Sequence, residues 1–487
     1  ARRQGRLQAG QGTGMAGSVL LQLRRRPFAA AHLLPAQKSS PCYTVAPSVV
    51  SPVDGGDQGG AARRGRWLTL PPFAPPVDGP SVGKEVVRGR RPSEPPVAST
   101  TALKWVRRCC PHLPVSLVQK LFRLRQVRRE TVNARAATCV EMQPPQRLRK
   151  RVSGRETMKS GDVILLPVTV QEFLPEKIEH CFNEDEINYI RNLELYKDEA
   201  IIAVNKPPGM PVQGGIGIKL SMDVLAGSCL RYGYPEPPRL VHRLDRDSSG
   251  VLVLGRTQTS ASILHSIFRE KTYGAFDERE EDQRIFRKKY WALVIGTPKH
   301  SKGLITAPLR KVVMENGKPE RITVANSEED ASSQHAVTEY KVIGSSHGLT
   351  WLELCPLTGR KHQLRVHCAE ALGTPIVGDF KYGWSGHRKW QPVALSNPTG
   401  ETQKVCNHST PFGLDLDGRS ILDQKPSLHL HCQQMILPNV SAVLQLLQSS
   451  DVRHDYSKLE ILELVATLPY HMQKSWDALN YSAPRLN

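Results

Sequence analysis

From about Asn192 onward the chain breaks into short runs rich in β-branched and aromatic residues, divided by Gly and Pro turns. Residues 201–204 lead into Asn205-Lys206-Pro207-Pro208-Gly209-Met210-Pro211-Val212, a strand followed by a Pro-Gly bend. Two more strands fall at 251–254 and 290–295, and others at 336–343, 350–354 and 428–437. Helical spacing intervenes twice: Ile263, Leu264, Ile267 and Phe268 share an apolar face, and 360–372 turns Leu364, Cys368 and Ala371 inward. Strands that often follow one another without a helix predict an α+β domain with a mixed, mainly antiparallel sheet over about 190–440. Residues 441–487 are expected as a C-terminal extension. Residues 274–286, which are acidic, and about 384–425 are expected as loop insertions.

Ahead of this body the composition changes. The first 53 residues carry Arg2, Arg3, Arg6, Arg24, Arg25, Arg26 and Lys38, with no Asp or Glu before Asp54. From Met15, a candidate start, the chain is apolar, Arg-rich and free of acids, which is the composition of an organellar transit peptide; a disordered basic tail is the alternative. Residues from about 40 to 100 are Pro-, Gly- and Arg-rich without periodicity, so 1–100 is expected to be a leader without a fold. Residues 101–170 hold 15 Lys and Arg against 4 Asp and Glu. Within them, 116–128 spaces apolar residues as a helix would, with Arg123, Arg125 and Arg128 between them, and a Gly161-Asp162 turn leads into a strand at 163–167. The block 105–170 is similar to the small αL-type RNA-binding module named after a ribosomal small-subunit protein, with 130–150 as an insertion. That likeness implies that Arg123, Arg125 and Arg128 meet RNA phosphates; a solvated basic helix is the alternative.

The formal net charge of +20 points to a polyanionic partner, since basic side chains gain by releasing counterions from phosphates. A membrane surface would also suit it, but no apolar run approaches the length that crosses a bilayer, and membrane insertion is not expected. Ten cysteines without a Cys-x-x-Cys fit reduced, buried thiols better than zinc or a disulfide scaffold. His362 and His367 are five apart, so structural hydrogen bonds are expected of them, and His429 and His431 with Cys432 lack further ligands, so no metal is expected. Gly214-Gly215-Ile216-Gly217 has no following Lys-Ser/Thr, which disfavours a nucleotide loop. The missing Gly-x-Ser-x-Gly turn disfavours a hydrolase.

Residues 240–250 read Leu-Val-His-Arg-Leu-Asp-Arg-Asp-Ser-Ser-Gly, a carboxylate leaving a strand beside two arginines and entering a turn. On composition alone either Asp245 or Asp247 is the functional acid, and an ordinary Asx-type turn is the bland alternative. The His242-Arg243-Leu244-Asp245 run with Ser249-Gly250, however, resembles the RluA-type family of RNA pseudouridine synthases, which usually has Thr where Ser248 stands. Four other segments resemble that family in the same order: 205–212; Lys289-Tyr290-Trp291-Ala292-Leu293-Val294; 357–367, with Thr358-Gly359-Arg360 and Gln363-Leu364-Arg365, followed by 375–379; and 428–438. The leader makes the chain most similar to organellar members known from plants, which implies the mitochondrion, with the plastid as the alternative.

The resemblance implies isomerisation of specific uridines, in a loop or bulge of rRNA or tRNA, without cofactor or metal. It implies Asp245 as the essential carboxylate acting at the sugar of a flipped-out uridine, and Arg365 as its ion-pair partner. Tyr290 is implied as the aromatic packed on the base, and Arg243 as the residue holding the base out, with His242 and Arg360 as further substrate contacts. A non-catalytic RNA-binding assembly factor on the same fold is the alternative, and the retained Asp245 and Arg365 argue against it.

Overall fold

The computed structural model describes residues 67–90, 97–111, 113–132, 147–173, 182–215, 218, 220–273, 286–312, 321–325, 332–393, 411–448 and 456–479. The transit segment, Met15 and the acidic stretch 274–285 lie outside them.

The main sheet runs in the order Lys302–Thr306, Val337–Ser346, Leu349–Pro356, Arg287–Ile295, Leu430–Pro438, Ser249–Gly255, Ile201–Lys206 and Glu194–Lys197, with Ile461–Val465 and Arg239–Leu240 attached. Every pairing is antiparallel except that of Leu430–Pro438 with Ser249–Gly255. At that parallel join Gly250 adopts φ +107°, and a Cβ there would fall 2.2 Å from the Cys432 carbonyl oxygen, so the backbones approach this closely only around glycine. The α+β expectation of a mixed, mainly antiparallel sheet therefore holds.

Alternation along Arg287–Ile295 feeds two cores. Tyr290, Ala292 and Val294 join the large core with Ile202, Leu252, Ile263 and Leu264, while Leu293 faces Trp351, Met472 and Trp476 on the other side. The segment beyond 440 is thus woven into the fold: Ile461–Val465 pairs with Leu430–Pro438, and Trp476, on helix Tyr470–Ala478, packs 5.1 Å from Trp351. Helix 360–372 is shorter and less regular than its spacing predicts. Gln363–Val366 is α-helical, His367–Ala371 is a π turn, and the extra residue of that turn leaves Ala371 exposed while Leu364 and Cys368 stay buried.

Two further differences concern the basic half. Residues 67–90, expected to have no fold, form a strand, Trp67–Thr69, and a helix, Gly79–Val87. The helix buries Val82 and Val86 and lies against helix Gln258–Tyr273, where a Cβ on Gly83 would come 2.6 Å from the Ile263 carbonyl oxygen. Only four buried positions carry this contact, two of them glycines, too few to register as periodicity in a Pro-rich stretch. Helix Val115–Arg123 ends five residues before the predicted 128. Arg125 takes φ +55° and the amides of Arg125 and Gln126 bond back to Phe122 and Leu121, a left-handed cap built without the glycine that usually announces it. Both ends of the expected insertion 130–150 are sheet rather than loop, since strands Arg128–Val132 and Arg147–Arg151 pair with each other. With Trp67–Thr69 and Val163–Pro167 they make a four-stranded sheet over helices Ala102–Cys109 and Val115–Arg123. Burial pushes the Cys109 and Cys110 thiols there to about 12 and about 11. Among the described residues no helix is long and apolar enough to cross a membrane.

Candidate active site

The segment joining Arg239–Leu240 to Ser249–Gly255 is pinned on both sides of Asp245. Upstream, His242 Nε2 accepts the Val253 amide at 2.9 Å, and burial lowers the imidazole pKa well below its ordinary value. Downstream, the fully buried Lys206 donates to the carbonyls of Pro207, Met210 and Arg246 at 2.7, 2.8 and 2.9 Å. The Asn-Lys-Pro-Pro-Gly bend and the acid-bearing segment are therefore held by one ammonium. Burial pulls that group down to about 7, with Asp247 and Asp245 acting against the shift. Lys206→Met strands three carbonyls, and is expected to cost about 3 kcal/mol. A melting temperature equal to wild type would show that the two bends hold each other without it.

Between the pins Asp245 faces a cavity of about 340 Å3, within the roughly 300–1,000 Å3 of small-ligand sites. Arg365 Nη1 donates to Asp245 Oδ2 at 3.2 Å. The same guanidinium grips Asp379 with both remaining prongs, Nε to Oδ2 at 2.7 Å and Nη2 to Oδ1 at 2.8 Å. Side-chain exposure falls from 20% for Asp245 to 11% for Arg365 and 0% for Asp379. Burial alone disfavours the charge on Arg365, yet Asp379 and Asp245 raise its pKa above the ordinary guanidinium value. Asp379 thus fixes the arginine, which in turn orients Asp245.

His362, in the left-handed region at φ +55°, points Nε2 at Asp245 Oδ1 from 3.8 Å and shares its Nδ1 with the Tyr382 hydroxyl at 2.6 Å. Burial lowers this imidazole and Asp245 opposes the shift. Burial also pushes Tyr382 up to about 12. Tyr290 also lines the cavity; burial, reinforced by Cys432, drives its phenol well above the ordinary value, so it is protonated at neutral pH.

Of the residues singled out in the sequence, Asp245, Tyr290, Arg365, Arg243, His242 and Arg360 all line this one cavity. Arg243 is exposed, whereas Arg360 commits its Nε to the His335 carbonyl. The two acids differ in placement: Asp245 lines the cavity, whereas Asp247 is 47% exposed, pairs with Arg246 and is not among the lining residues. Arg123, Arg125 and Arg128 belong to the basic four-stranded unit. The first two are exposed, while Arg128 donates to the Arg125 carbonyl and lies over the Trp67 ring. His367 spends both ring nitrogens on hydrogen bonds, as expected, whereas His362 gives one to Tyr382 and turns the other toward Asp245; His429 and His431 also bond through both nitrogens.

The sequence did not single out Asp379, Tyr382, Lys206 or Lys288. Asp379 had no visible partner until the fold brought residues fourteen apart together. Lys288 had a signal, because period-two alternation puts it on the face of Tyr290.

A carboxylate held by a doubly anchored arginine in an aromatic-walled pocket is an arrangement suited to an enzyme acting on a small planar group. Residues 200–370 match the family model described as RNA pseudouridylate synthase. The chain is 53% identical over 428 residues to "RNA pseudouridine synthase 4, mitochondrial" of Arabidopsis thaliana, covering 85% of this chain and 87% of that protein. It is 41% identical over 397 residues to "RNA pseudouridine synthase 3, mitochondrial" of the same plant, covering 78% and 82%. Among solved structures, "Human RNA Pseudouridylate Synthase Domain Containing 4" is 28% identical, with a TM-score of 0.41, covering 61% of this chain and 97% of that one. The chain belongs to the RNA pseudouridylate synthase family.

Proposed function

We propose that this chain isomerises specific uridines of mitochondrial rRNA or tRNA to pseudouridine, with Asp245 acting at the ribose of a flipped-out uridine. The observation that carries it is the Asp379–Arg365–Asp245 chain of charges, which aims one carboxylate into a pocket sized for a nucleoside. Arg365 orients Asp245, Tyr290 supplies the aromatic wall for the base, and exposed Arg243 at the cavity holds the base out of its stack. The chemistry is an isomerisation: the base leaves through nitrogen and returns through carbon, so atoms and electrons balance without a cofactor. A loop or bulge is the expected context, because an unpaired uridine costs less to extrude. The mitochondrial names of the plant relatives, together with the acid-free leader, favour that organelle over the plastid.

The test is to incubate purified protein with mitochondrial RNA from a null line, in rRNA and tRNA fractions, and to map pseudouridine at single-base resolution. Discrete new sites in one fraction identify the substrate class. Conversion in neither contradicts the proposal.

The four-stranded basic unit, read as the αL-type module, supplies phosphate contacts. Arg128 is committed to Trp67 and to the Arg125 carbonyl, so the free charges are the exposed Arg123 and Arg125. The double variant Arg123→Gln/Arg125→Asn is expected to weaken RNA binding and to reduce the slope of log K against log salt by about 1.5. An unchanged slope would move the RNA path off this helix end.

A further inference from the structure

Lys288 shares a strand face with Tyr290 and lines the same cavity, together with Phe268 and Phe286. Its Nζ lies 4.8 Å from the Phe268 ring centroid and 5.5 Å from that of Phe286. Among the described residues no carboxylate forms an ion pair with it. The other cations of the cavity are differently placed. Arg365 is held by two carboxylates, Arg360 gives its Nε to a carbonyl, and Arg243 and Lys361 are exposed. An ammonium set against two phenyl rings, with no carboxylate partner among the described residues, lowers stability, and burial pulls its pKa to about 8 while Cys432 acts the other way. Such a group suits an anion that exists only during the reaction.

We propose that Lys288 holds the uracil while it is detached, its ammonium donating a hydrogen bond to a carbonyl oxygen of the base. This rests on the isomerisation proposed above. When the C1′–N1 bond breaks, its electron pair leaves with uracil, whose negative charge spreads over N1 and the ring oxygens. The C5 electron pair then forms the C1′–C5 bond, C5 loses its proton and N1 gains one. Lys288 keeps its protons throughout. A fixed cation beside that anion, in a cavity with apolar walls, stabilises the detached state far more than it does the neutral bound uridine. The bland alternative is that the lysine stem only packs on Phe268 and Phe286, a role methionine fills equally well.

The experiment measures single-turnover conversion of null-line mitochondrial RNA by wild type, Lys288→Met, Lys288→Arg and Asp245→Asn. Lys288→Met is expected to keep its RNA affinity and lose roughly 100-fold in rate, as when one preorganised donor to a developing anion is removed. Lys288→Arg recovers most of the loss. The wild-type rate falls as pH rises through about 8, and that step is missing in Lys288→Met. Asp245, His242 and Tyr290 line the same cavity and Cys432 lies near Lys288; burial keeps His242 neutral and Tyr290 protonated in that range, and the methionine variant separates Lys288 from Cys432. Lys288→Met converting at the wild-type rate beside an inactive Asp245→Asn overturns this role alone. An active Asp245→Asn overturns the isomerase reading beneath it. If Lys288→Met does not fold, Lys288→Gln is measured in its place, and conversion at the wild-type rate overturns the role equally.

Discussion

Asp245→Asn lowers single-turnover conversion of uridine by ~10³-fold or more, the scale expected when a carboxylate acting directly on the reacting sugar is neutralised. Folding and RNA affinity stay near wild type, because of how the charges are arranged. Arg365 retains its two bonds to Asp379, so neutralising Asp245 leaves no buried charge without a partner. Asparagine keeps an oxygen for Arg365 Nη1 in the same place. The readouts are the rate under enzyme excess, the Kd for RNA and Tm. Turnover within a few fold of wild type would remove Asp245 from the chemistry.

Arg365→Met touches the same pair and gives the opposite pattern. Asp379, at 0% side-chain exposure, loses both charge-assisted bonds and keeps, among the described residues, the Tyr382 amide at 3.2 Å. Leaving one partner of a buried pair alone costs about 3–5 kcal/mol. A fall in Tm of roughly 10 °C is expected from this. Activity falls as well, since Asp245 loses the group that orients it. Adding Asp379→Asn to Arg365→Met removes the stranded charge, so stability returns while activity does not. An unchanged Tm in the single variant would mean that Asp379 reaches solvent or another cation.

These two variants also show where the sequence was legible. Strand alternation and the family-like segments were enough to place Asp245, Tyr290 and Arg365 in one site, because each is fixed by its own short motif. Asp379 sat inside a recognised segment but showed no role, since its value lies in a contact made across a loop. Lys206 was visible as part of a bend, yet its three carbonyl partners come from two bends forty residues apart. The basic half was less legible for a physical reason. Helix Gly79–Val87 depends on glycines that allow close approach rather than on an apolar stripe, and the Arg125 cap uses a residue that carries no turn signal.

The most direct test of the central claim uses a null line complemented with either wild-type protein or Asp245→Asn, with pseudouridine mapped at single-base resolution in mitochondrial RNA. The account predicts that defined sites return with the wild type and stay unmodified with Asp245→Asn expressed at the same level. Sites restored equally by both proteins would contradict it.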